Sequence, residues 1–85
     1  MMSEKAPDPR DEFRVRVGQR LDAARIAIGF SFGDLASRTS ISRGKLGDYF
    51  SGRTEPSLWV VARLAPVLEV DLYELLGIAA PVPRI

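Results

Sequence analysis

The chain contains no cysteine and no histidine, and it has a single tryptophan. Without thiols there is neither a disulfide framework nor a thiolate metal site, and nothing points to secretion. The lack of imidazole also removes the commonest general base and metal ligand. No glycine-rich phosphate loop is present. The carboxylates stand at helix starts or among arginines, where capping and ion pairing account for them. The chain is therefore expected not to be an enzyme and to take no cofactor, metal or small-molecule ligand. No apolar run approaches the length of a membrane span, and the N-terminus is too charged and proline-rich for a signal peptide. A cytoplasmic protein without membrane partners is expected. Internal repeats and low-complexity tracts are absent as well.

What is present is an ordinary globular composition. Of the 85 residues, 46% are hydrophobic and 27% charged. That suffices for one small domain. The net charge of +1 does not by itself suggest nucleic acid, but its distribution is more telling. Residues 34–53 carry Arg38, Arg43, Lys45 and Arg53 against Asp34 and Asp48, a net +2, whereas residues 54–85 sum to −2. A dipole with its basic end on one segment suits a phosphate surface. A solvated surface of mixed charge is the competing reading.

Residues 1–11 hold two prolines and alternating charge without apolar period, which predicts a flexible N-terminal arm. A plain terminus is the first reading; the alternative is that Lys5 and Arg10 let such an arm track DNA. A helix follows from about Asp11 to Ile28. There Phe13, Val17, Leu21, Ala24 and Ile28 form one apolar stripe, with arginines mostly off it, and Gly29 is suited to end it. Ser57 caps a later helix with Leu58, Val61, Leu64, Ala65 and Leu68 facing inward, in which Pro66 predicts a kink or an early end. Asp71 and Glu74 form a capping-box-like start to a last helix, where Leu72, Leu75 and Leu76 seal the core. Residues 78–85 are too proline-rich for helix yet apolar for a free tail.

The segment from Phe32 to Ser51 organises the whole. It reads as two short helices meeting at a tight corner. Ser31 and Ser42 are suited to cap them, Leu35 and Ala36 face inward on the first, and Leu46 and Phe50 lie a turn apart on the second. Thr39, Ser40 and Ser42 favour a turn, and Ile41 plugs the angle between the helices. Leu35-Ala36, Ile41-Ser42, Leu46, Gly52, Pro56-Ser57-Leu58, Leu64, Leu68, Val70 and Leu72 to Leu76-Gly77 together resemble the Cro and phage-repressor (Xre-like) helix-turn-helix family. The resemblance runs from about Val17 to Gly77. It implies an all-α, compact five-helix bundle of the lambda-repressor-like DNA-binding type, with the domain over residues 12–77 and a tail over 78–85.

The resemblance also implies a function: a sequence-specific regulator of transcription, in the first instance a repressor, that sets the helix at about 42–51 in the major groove of double-stranded DNA. Ser42, Arg43, Gly44 and Asp48 hold the base-reading positions. Arg43 can bond guanine bidentately, and Asp48 either accepts from cytosine or forms a salt bridge within its helix. Ser31, Arg38, Lys45, Ser51 and Arg53 are candidate phosphate contacts, with backbone amides near Ser31 and Gly52 beside them. Trp59, Ile78, Val82 and Ile85 are candidates for a homodimer or protein contact; for Trp59 an ordinary surface aromatic is the alternative. Four departures stand out. Phe32 replaces a phosphate-bracing Gln, Ser40 replaces the corner glycine, and Gly44 and Gly47 each weaken the helix by about 1 kcal/mol relative to Ala. Phe50 replaces a Glu that pairs with an Arg at the position of Arg25, so Arg25 is expected to stack on Phe50 or to pair with a nearby Asp. The rival function is a protein-binding adaptor or antitoxin module on the same scaffold.

Overall fold

A computed structural model describes residues 8–82. Asp8 opens the first helix, α1 (Pro9–Ile28), by accepting from the Arg10 amide at 2.9 Å, with Pro9 at the first helical position where its missing N–H costs nothing. Helix begins two residues earlier than the sequence pattern suggests, so the arm expected over residues 1–11 is cut back; residues 1–7, including Lys5, lie outside the described residues. Arg10 sits on the helix itself, in a two-pronged pair with Glu55. That arrangement takes Arg10 out of the N-terminal arm, whether plain or DNA-tracking. Gly29 ends α1 at φ 85°, in the left-handed region.

Ser31 begins α2 (Phe32–Thr39) with a full capping box. Its hydroxyl accepts from the Asp34 amide, and the Asp34 carboxylate accepts from the Ser31 amide. At the corner, Thr39 is completely buried and satisfied: its hydroxyl donates to the Leu35 carbonyl and accepts from the Ile41 amide. Ser40 turns the chain at φ 64°, so the strain expected for a side chain at this left-handed position is present. Ile41, only 4% exposed, plugs the angle. Ser42 then caps α3 (Arg43–Phe50), which is continuous through both glycines.

Ser57 caps α4 (Leu58–Val67) and Asp71 caps α5 (Leu72–Leu76). Helix α4 continues through Pro66, with Leu68 still right-handed and its amide on the Leu64 carbonyl; the chain leaves the helix at Glu69, φ 57°, where the Glu69 and Val70 amides close on the Pro66 and Ala65 carbonyls. Helix α1 packs on α3 and α5, and α4 on α2 and α5. The core joins Val17 and Leu21, Leu35, Ile41, Leu46 and Phe50, the α4 residues Val60, Val61, Leu64 and Ala65, then Leu68 and Leu75. Among the described residues there is no strand, and no helix is long and apolar enough to cross a membrane. Leu58 departs most from its expected inward place: it is 88% exposed, because the apolar stripe of α4 overruns the helices available to cover it. Leu72 and Phe13 are also partly exposed, and with Leu58, Val61 and Leu76 they line an apolar cleft between α1, α4 and α5.

Candidate nucleic-acid interface

The corner holds α3 from three directions. Leu46 and Phe50 anchor its inner face, and α2 meets it across Ile41. The Arg14 side chain of α1 donates to the Gly52 carbonyl just beyond its end. Arg63 of α4 adds a bond to the Thr39 carbonyl at 3.3 Å, tying α4 to the corner. The outer face of α3 therefore stands on a fixed frame.

At the N-terminal end of that face, Ser42, Arg43, Gly44 and Lys45 are all exposed. The Ser42 hydroxyl accepts from the Lys45 amide at 3.3 Å. Arg43 lies back over Gly33 of α2, so that a Cβ on Gly33 would stand 2.6 Å from an Arg43 guanidinium nitrogen. A Cβ on Gly44 or Gly47 would meet nothing within 4 Å. The glycines thus leave open space above the helix, where another molecule can approach its backbone.

At the other end, Asp48 closes the structure rather than opening it. Its carboxylate bonds Arg53 at 2.9 Å, and its carbonyl collects the Arg53 and Thr54 amides and the Ser51 hydroxyl. The ion pair expected within the helix is thus made with a residue beyond it, and the carboxylate free to accept from a base is already engaged. Arg38 is also occupied, stacked 4.4 Å over the Phe30 ring. The amides of Ser31 and Gly52 themselves are already donated, the first to the Asp34 carboxylate and the second to the Tyr49 carbonyl. Asp34, held below the usual carboxylate range by the Ser31 amide and hydroxyl, puts negative charge at the start of α2.

Arg25 does not stack on Phe50. It pairs with Asp22 at 2.8 Å, as the alternative expectation has it, and its guanidinium lies 4.4 Å over the Phe32 ring. Phe32 in turn meets Phe50 edge-on, with ring centroids 5.4 Å apart. The residue that replaces a phosphate-bracing Gln thus packs between Arg25 and Phe50 and joins α1 to α3. Trp59 is 61% exposed and borders a groove beside Ser42, Lys45 and Tyr49. Ile78 and Val82 are exposed, and Ile85 lies outside the described residues.

The family model described as a helix-turn-helix domain matches residues 16–76. Among solved structures, the restriction-modification controller protein C.AhdI from Aeromonas hydrophila superposes with a TM-score of 0.67. It is 34% identical over 72% of this chain and 92% of its own. No curated protein matches the chain.

Proposed function

Because the chain belongs to the helix-turn-helix domain family, we propose that it is a DNA-binding regulator of transcription that reads double-stranded DNA with α3. The observation that carries this reading is the N-terminal end of α3, where Arg43 and Lys45 stand exposed beside the uncovered backbone of Gly44. In this reading Arg43 swings from Gly33 to bond a guanine edge, with Ser42 and Gly44 against neighbouring bases. Lys45, Arg53 and Arg38 hold phosphates and set the register, joined by the Ser31 and Ser51 hydroxyls once these turn from Asp34 and from the Asp48 carbonyl. Asp48 serves the frame more than the bases, through its bond to Arg53. The controller role named for the C.AhdI protein supports a regulatory outcome. Repression is the simplest form, since a bundle seated on a site excludes other proteins from it.

A homodimer in the cytoplasm completes the reading. The cleft bordered by Phe13, Leu58 and Leu72 leaves apolar surface on the side formed by α1, α4 and α5. A second copy placed there gives two recognition helices for two half-sites.

The test is a selection of bound fragments from random duplex DNA, followed by binding measured against salt. Regulation through α3 predicts an enriched motif and a linear loss of log affinity with log salt. Arg43→Ala flattens the motif, while Arg53→Ala weakens all sequences alike. Indifference to every duplex at low salt overturns the DNA reading and leaves the adaptor or antitoxin module.

A further inference from the structure

Leu58 and Trp59 are adjacent in the chain but border different grooves. Leu58 faces the cleft with Phe13 and Leu72, whereas Trp59 faces a groove whose opposite wall is α3. One residue step turns a helix by about 100°, enough to part them. Trp59 is therefore separated from the apolar face to which a second copy is assigned above.

The chemistry of the Trp59 groove is specific. Lys45, Ser42 and Tyr49 line it from the α3 side and Ser57 from α4, with no carboxylate along it. The oxygens of Ser42 and Ser57 accept the cap amides of Lys45 and Val60, which leaves each O–H to donate outward. An ammonium, the four hydroxyls of Ser40, Ser42, Tyr49 and Ser57, and a broad aromatic face together match a chain of alternating anions and apolar rings. The sugar–phosphate backbone of DNA is such a chain. Ser42 and Lys45 also begin α3, so the groove runs directly into the end that carries Arg43.

We infer that Trp59 is a DNA-backbone contact: its indole packs on a deoxyribose while Lys45 and the Ser42 and Ser57 hydroxyls hold the flanking phosphates. This rests on the DNA-binding reading above and extends it from α3 to the first turn of α4. The contact carries no sequence information; it fixes the pitch at which α3 enters the groove.

Trp59 is the only tryptophan, so its emission reports on this groove alone. Full-length protein is titrated with a pool of random-sequence duplex at low salt, following emission and gel retardation together. The expected result is an emission change that saturates with retardation. Trp59→Ala should weaken binding roughly fivefold to tenfold on all sequences alike, and Trp59→Phe should recover most of it. Helical circular dichroism should stay the same in both variants, since the side chain is largely exposed. Retardation without any emission change, and with Trp59→Ala binding like the parent, overturns the inference and spares the DNA reading. Emission that follows protein concentration without DNA also overturns it, assigning Trp59 to a second copy. If no duplex is retarded by the parent protein, the DNA reading fails first and the inference with it.

Discussion

Gly18 of α1 sits so near the end of α3 that a Cβ there would stand 2.8 Å from the Tyr49 carbonyl oxygen and 2.9 Å from the Gly52 nitrogen. Both neighbours are backbone, so neither can swing aside. Gly18→Ala is expected to destabilise the fold by up to about 2 kcal/mol net, the balance of about 1–3 kcal/mol of overpacking and the ~1 kcal/mol that Ala gains in helix propensity. Gly44→Ala is the control: its Cβ meets nothing within 4 Å, so stability should rise by about 0.5–1 kcal/mol. Thermal unfolding followed by circular dichroism checks both signs. A Gly18→Ala protein more stable than the parent would show that α1 and α3 do not meet as closely as described.

The Arg25–Phe32–Phe50 stack predicts a second stability effect. Phe32→Leu keeps apolar bulk but loses both the guanidinium stacking and the edge-on ring contact. A cost of about 1–2 kcal/mol is expected. Phe32→Leu combined with Arg25→Ala should cost less than the sum of the single changes, because each removes the same contact. Strict additivity in denaturant unfolding would show that Arg25 is held by Asp22 alone.

Much of this architecture was readable from short-range pattern. The caps Ser31, Ser42, Ser57 and Asp71 and the stop at Gly29 are local devices, set by side chains within a few residues of the backbone groups they satisfy. Ile41, Leu46 and Phe50 were readable because one face of a short helix has few alternatives. Leu58 was misplaced for an instructive reason: periodicity tells which side of a helix is apolar, not whether any other element reaches far enough to cover it. For Arg25 the pairing with a nearby Asp was legible and falls on Asp22, but the Phe32 ring under it and the partners of Arg38 and Arg43 were hidden, because each is a choice among several rings or open backbone within reach. Gly18 left a usable signal, a glycine inside an otherwise regular helix, which often marks close packing. At the candidate interface, the exposure of Arg43 and Lys45 followed from the caps. The capture of Asp48 by Arg53 did not, since it depends on how the chain turns after Ser51.

The α2 capping box gives the fold a defined response to acid. The Ser31 amide and hydroxyl hold the Asp34 carboxyl below its ordinary range, and the Arg10 side chain does the same for Glu55. A carboxylate lowered by folding lends stability that is full above its unfolded pKa and is lost as pH falls through its folded one. The melting temperature should therefore hold steady from neutral pH to about 5 and decline below about 4. Asp34→Asn should melt lower than the parent at neutral pH and lose less on acidification. An equal decline in both proteins would remove Asp34 from the acid response.

Asp48 and Arg53 form an exposed pair beside the proposed phosphate contacts, with the Arg53 side chain 76% exposed. Asp48→Asn removes a negative charge from that surface and releases the guanidinium. Binding to random duplex should tighten a few-fold at low salt, because a repelling charge is gone and Arg53 is no longer shared between Asp48 and its phosphate. Weaker binding confined to the selected motif would instead mean that Asp48 accepts from a cytosine in the complex.

Leu58, 88% exposed beside the Phe13–Leu72 cleft, is the residue on which the proposed homodimer is tested. A leucine taken fully from water contributes about 1.5–3 kcal/mol, and a two-fold interface counts each substitution twice. Leu58→Asp should therefore raise the dimer dissociation constant by about a hundredfold or more. Monomer stability should change little, because the side chain packs on nothing within its own chain that it would leave empty. Sedimentation equilibrium with and without duplex DNA measures the first effect, and thermal unfolding at low protein concentration measures the second. A dimer that survives Leu58→Asp unchanged must be built on a different face, and a parent protein that stays monomeric on DNA would have to read its site with a single α3.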